Sequence, residues 1–249
     1  MYLGRQNSAP ISAPAQMQGT LAAIAREPHK KSSMKKYYVL EVSDESAAEF
    51  PDGYNYNDKH SSSALRSYIH ENRDFPSFIP KLSQTIYDDP EFNKLNDFIF
   101  GPIEKFCVSR RVKEVLEQFN LPKHKFYPVD VFMPTKFLGI IKTQKKVNAQ
   151  YFAFNFDFFY ITNNEHWINY EKTELKKDHL GINQTEHIFL NKNFDKSLDF
   201  FELRYSWMTY VSEELMNKLI EIGATGLMFS EINERQYKVK RPNPKITWE

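Results

Sequence analysis

The sequence predicts an α+β fold with a mixed or antiparallel sheet, and three features carry that expectation. The first is a string that occurs twice. VSRRVKEVLEQFNLPKHKFYPV spans 108–129 and VSEELMNKLIEIGATGLMFSEI spans 211–232, with a constant offset of 103 positions (109 to 212, 129 to 232) and no gap. The second is a run of alternating aromatics between the copies, YFAFNFDFFY at 151–160. The third is composition: Phe 21 and Tyr 14 against Gly 8, which suits a packed body rich in strands. At 249 residues the chain is long enough for one sizeable core or two small ones.

Along the chain, residues 1–33 are rich in Ala, Pro, Ser and Gln and have no apolar period. They are expected to be a disordered tail or an over-called start. Residues 34–249 form the folded domain. Met34 leads directly into a strand at Tyr37–Val42. A polar stretch from Ser43 to Ser63 holds the turn signal Asp52-Gly53. Pro76, Pro80 and Pro90 divide the next region into short pieces.

Each repeat then has a mechanical reading. Ser109 and Ser212 stand where an N-cap hydroxyl satisfies an unpaired amide. Val112, Val115, Leu116 and Phe119 form an apolar stripe at helical spacing, as do Leu215, Leu219 and Ile222. Glu213 and Glu214 favour the positive end of the second helix, whereas Arg110 and Arg111 do not help the first. Gly223 suits the left-handed residue that ends a helix, and Asn120 holds its place in the first copy. GATG at 223–226, with Gly226, makes the turn to the following strand. The strands are FYPVDVF and GLMFSEI.

In the aromatic run, Phe152, Phe154, Phe156 and Phe158 share one face by period two. Asn155 and Asp157 lie on the other, which is expected to be solvated. Phe200, Phe201 and Leu203 suggest a further strand running toward Trp207. The segment Asn163–Tyr170, NNEHWINY, is too polar for a core strand yet carries Trp167 and Tyr170 beside Glu165 and His166. It is either a lid packed on the body or a partner-binding anchor.

Chemistry is sparse. Seven histidines occur without HExxH or a close ligand spacing, so no metal site and no cofactor are expected. GATG follows a helix and so cannot cradle a phosphate as a loop preceding one does. The single Cys107 excludes an intrachain disulfide and suits a reducing compartment. No catalytic residues are assigned and a non-enzyme is expected. The alternatives are an enzyme with scattered His, Asp and Tyr groups and an oligomerising scaffold. No apolar run is long enough for a bilayer. Residues 1–36 carry +5, leaving the remainder at −4 with 27 basic and 31 acidic residues. A mildly acidic body argues against general nucleic-acid binding.

The second string, with FFELRYSW upstream, resembles the C-terminal signature of an immunity family of bacterial polymorphic toxin systems, the family numbered eleven. Val211, Ser212, Leu215, Leu219, Thr225-Gly226 and Phe229 carry the likeness. Val108-Ser109-Arg110, Leu116-Glu117 and Tyr127-Pro128-Val129 resemble its earlier phrase, and YYVLEV its opening. The likeness covers about residues 34–235. Members carry an Asp and then a Ser after the central aromatic strand, which YITNNEHWINYEKTE does not match. The resemblance implies a cytoplasmic protein that binds and neutralises a cognate toxin, often a nuclease, encoded next door. The matched positions are scaffold: caps, stripes and turns.

Overall fold

The computed structural model describes residues 35–43, 48–49, 68, 71–72, 74–79, 81–86, 95–99, 106–137, 141–156, 164–177, 183–206, 208–232 and 244–248. The expected tail lies outside them, as does most of the polar stretch after the first strand. In chain order the strands are β1 Tyr37–Val42, β2 Ala48–Glu49, β3 Leu82–Ile86, β4 Phe98–Ile99 and β5 Phe106–Ser109. Helix α1, Arg110–Leu116, leads to β6 His124–Phe137, β7 Ile141–Lys146 and β8 Tyr151–Phe156. A 3₁₀ turn at Asn164–Trp167 precedes β9 Lys176–Lys177, β10 Asn183–Gln184, β11 His187–Leu190, β12 Phe200–Glu202 and β13 Thr209–Ser212. Helix α2, Glu213–Glu221, is followed by β14 Leu227–Glu231 and β15 Lys245–Trp248. This is the expected α+β fold, with sheet predominating. Among the described residues no helix is long and apolar enough to cross a membrane.

The larger sheet runs β2-β3-β6-β8-β5-β4, with β7 also on β6; the smaller runs β12-β13-β1-β14. Inside the larger sheet, β4-β5-β8-β6 repeats the order of the smaller one strand for strand, and every pairing in the two sets is antiparallel. The registers correspond as well. Phe98 opposes Val108 as Phe200 opposes Val211. Ser109 opposes Tyr151 as Ser212 opposes Tyr37. Phe126 opposes Phe154 as Phe229 opposes Leu40. The repeated string therefore marks a repeated structure.

The first strand has the expected bounds, Tyr37–Val42. β8 ends at Phe156, and residues 157–160 lie outside the described ones. The expectation of a solvated second face on β8 is corrected. Tyr151, Ala153 and Asn155 are buried, Asn155 at 1% exposure. Their face packs with Leu82, Ile86, Ile99, Cys107, Tyr127, Val129 and Val131. A polar residue in a strand signals a wet face only when nothing covers it, and at Asn155 a second core does.

The other face of β8 joins the main core. Val112, Val115 and Leu116 of α1 and Leu215 and Leu219 of α2 pack with Leu40, Phe98, Phe106, Phe154, Phe156 and Phe200. Phe154 and Phe200 meet at 5.1 Å between ring centroids and Phe106 and Phe200 at 6.1 Å. Edge-to-face packing of this kind adds to the burial of large rings. A third cluster gathers Tyr37, Val39, Trp167, Phe194, Phe201 and Tyr210.

Candidate functional site

Segment 164–170 is tied to β11 by backbone. Ile168 bridges Leu190. The Asn169 amide donates to Phe189 O at 2.7 Å, and the Asn191 amide to Trp167 O at 2.8 Å. The Asn191 side-chain amide reaches His166 O at 2.9 Å. This anchoring turns Trp167 inward. Its ring meets Phe194 at 5.2 Å, and the residue is only 6% exposed. Of the two readings of this segment, the lid describes Trp167; a buried indole cannot serve as an exposed anchor. His166 is exposed, its ring 5.6 Å from that of Trp167. The side chain of Glu165 lies outside the described residues.

Tyr170 differs. It is 44% exposed and sets its ring at 6.5 Å, edge to face, against Tyr205. Burial, and then a hydrogen bond with Tyr205, push the Tyr170 phenol above its ordinary range. Tyr205 stands in the turn between β12 and β13 at φ 66, the one positive φ among the described non-glycine residues. A left-handed tyrosine costs about 1–2 kcal/mol of backbone strain. The turn over-determines it. Leu203 is fully buried on one side, and Ser206 Oγ sits 2.6 Å from the Tyr210 hydroxyl on the other. The Ser206 amide closes the turn by donating to Leu203 O at 3.1 Å. The Arg204 guanidinium lies 5.4 Å from the Tyr205 ring centroid, within cation–π range. The result is a tyrosine pair with an arginine at its edge, held by rigid neighbours. Tyr and Arg are the residue types enriched at binding hot spots. Sequence reasoning found Tyr170 and missed Arg204 and Tyr205, because LRYSW gives no sign of a positive φ.

The strongest charge network lies elsewhere. Ser109 Oγ donates to Asp97 Oδ1 at 2.7 Å and Arg111 Nε at 2.6 Å, with Arg111 Nη2 on Asp97 Oδ2. The Thr225 amide and hydroxyl each donate to Asp97 Oδ2 at 3.0 Å. Burial alone would raise the pKa of this carboxyl; donation from Arg111, Ser109 and Thr225 outweighs it and holds the pKa down to about 2. Arg111 also donates to Ile222 O at 2.9 Å and Gly223 O at 3.1 Å. These are the end carbonyls of α2, where a cation is favoured by the helix dipole. The arginine that does nothing for its own helix thus serves the other one.

Asp97 corrects the reading of Ser109. Ser109 occupies the N-cap position of α1, but its hydroxyl accepts from no helix amide and is turned toward Asp97, to which it donates. Ser212 does cap α2, accepting from the Leu215 amide at 3.2 Å. Gly223 and Gly226 have φ of 61 and 80, as the turn requires. The Gly223 amide donates to Ile220 O at 2.9 Å and the Ala224 amide to Leu219 O at 3.0 Å, the paired bonds of a Schellman end. Asn120 is not left-handed. α1 closes instead with i→i−3 bonds from Gln118 and Phe119. The Asn120 amide then donates to Asp199 Oδ2 at 3.0 Å.

Cys107 is fully buried, and burial pushes its thiol up, away from thiolate chemistry. Among the described residues no three His, Cys, Asp or Glu side chains converge as a metal site. A cleft of about 310 Å³ is lined by Lys35, Lys36, Tyr37, Glu231, Ile232, Ile246 and Trp248. Its lysines are engaged, Lys35 with Asp199 at 2.7 Å and Lys36 with Glu231 at 3.2 Å. Comparison with protein-family models and with curated proteins found no match to the chain.

Proposed function

We propose that this protein is an immunity protein that binds a cognate bacterial toxin and neutralises it by covering the toxin's active site. The observation that carries the proposal is the phrase formed by Val211, Ser212, Leu215, Leu219, Thr225-Gly226 and Phe229. The phrase is scaffold: a capped helix, its core stripe and a turn held by Asp97. It supports membership of a framework and leaves the recognition surface to other residues. Tyr170, Arg204 and Tyr205 are the residues best suited to that surface.

Occlusion fits this geometry. A stable complex buries about 1,200–2,000 Å² and draws most of its affinity from a few anchors. A rigid aromatic pair loses little side-chain entropy on binding, and Arg204 adds a directional donor. The acidic body, 27 basic against 31 acidic residues from 37 onward, favours approach by a basic toxin such as a nuclease. The site of action is the cytoplasm of the producing or a neighbouring cell.

The test titrates the toxin encoded beside this gene into purified protein by calorimetry. Tyr170→Ala and Arg204→Ala are each checked first for native circular dichroism. Each is expected to weaken binding by about tenfold or more, the scale of a hot-spot residue. Wild-type affinity in both folded variants would remove this face from the proposal.

A further inference from the structure

The repeated units follow the same order along the chain. The first runs β1, β4, β5, α1, β6 and the second β8, β12, β13, α2, β14. Tyr37 heads the first and Tyr151 the second. Yet β1 lies between β13 and β14, and β8 lies between β5 and β6. Each unit therefore gives its opening strand to the middle of the other unit's sheet. We infer that the chain is a strand-exchanged dimer fused into one polypeptide, and that each half is built to recognise the other as a separate partner.

The hydrogen bonds repeat with the exchange. The Tyr151 hydroxyl donates to Asn96 O at 2.8 Å, and the Tyr37 hydroxyl to Leu198 O at 3.2 Å. Asn96 and Leu198 each stand one residue before an aspartate that leads into DF, at 97–98 and 199–200. The Ser109 amide donates to Asp97 O and the Ser212 amide to Asp199 O, both at 2.8 Å. Asp97 then crosses to Thr225 after α2, and Asp199 crosses to Asn120 after α1. A shared strand order arises easily by convergence; reciprocal crossings from two matched carboxylates, each to the turn after the other unit's helix, do not.

The exchange decides what kind of surface joins the halves. Removing β1 would leave β13 and β14 without the strand that pairs with both, and removing β8 would do the same to β5 and β6. The aromatic core is common to the two, through Phe106, Phe154 and Phe200. This is the anatomy of an obligate interface, a domain core shared between partners. The complementary partner of residues 1–148 is the chain from 149 onward. The exposed turn Asn148–Gln150 just before β8 is where the two are joined. The inference is independent of toxin binding.

The experiment starts from the full chain, with a protease site inserted between Asn148 and Ala149 and cut after folding. The cut protein is expected to elute as one species at the intact size, with native circular dichroism. Its thermal midpoint should now fall on dilution, as for a bimolecular complex. Separation into two fragments, or loss of the fold on cutting, would overturn the partner claim. Strand ownership is read separately. Tyr38 of β1 opposes Glu231 of β14, so Tyr38→Cys with Glu231→Cys, oxidised before cutting, should join both fragments in one band on a denaturing gel until reductant is added. Two bands without reductant would overturn the exchange.

Discussion

Asp97 is the residue that connects most of this structure. It receives bonds from the serine before α1, the second arginine of α1 and the turn after α2. Its pKa is about 2 against an ordinary 3.8. A depressed carboxyl contributes stability that is fully present above pH 4 and is lost as pH falls toward 2. The side chain is 9% exposed, so the shift corresponds to about 2 kcal/mol. Asp97→Asn is therefore expected to lower unfolding stability by about 2 kcal/mol at pH 7. Denaturant titrations at pH 7, 4 and 2.5 should show the gap from wild type closing only below pH 4. A second prediction separates the two serines. Ser212→Ala should cost about 1 kcal/mol through loss of a cap, and should add independently to Asp97→Asn. Ser109→Ala acts through the same carboxylate, so most of its cost should vanish in the Asp97→Asn background. Equal costs of Ser109→Ala in both backgrounds would mean that its hydroxyl caps the helix after all. Ser212 was legible because capping is local. Asp97 was not, because Thr225 lies 128 positions away.

At the scale of elements, apolar period and terminal residues placed both helices and the strands beside them. Period two also revealed β8, but it records alternation and not what covers each face. Asn155 was misjudged for that reason. The two helix ends show a similar limit. Gly223 accepts φ 61 without strain, and a Cβ there would meet no atom within 4 Å. Gly223→Ala is thus expected to cost about 1 kcal/mol from left-handed strain alone, read as a lowered thermal midpoint without aggregation. Asn120 offered the same sequence signal but is drawn into a bond with Asp199. Trp167 follows the same logic. Polar neighbours left lid and anchor both open, and the bridge at Ile168 fixes the indole inside as a lid. Trp167→Ala should cost about 3–5 kcal/mol, as other buried tryptophans do. Tyr170→Ala should leave the thermal midpoint nearly unchanged.

At the scale of the molecule, the repeat could be seen in the sequence and the exchange could not. A constant offset reports that two strings are alike and is silent on which sheet each opening strand enters. The proposed interaction surface was legible only as Tyr170. Arg204 and Tyr205 are brought to it by a turn whose conformation depends on Leu203 and Tyr210. The proposed neutralisation of a toxin is read in growth under toxin expression. A toxin domain encoded beside this gene, as the proposal expects, would be induced in a susceptible strain, alone and with this protein at equal or greater level. Wild-type protein is expected to restore growth under the proposed function, and the Tyr170→Ala, Arg204→Ala double variant, folded and equally abundant, to restore far less. Continued killing in the presence of folded wild-type protein would contradict it.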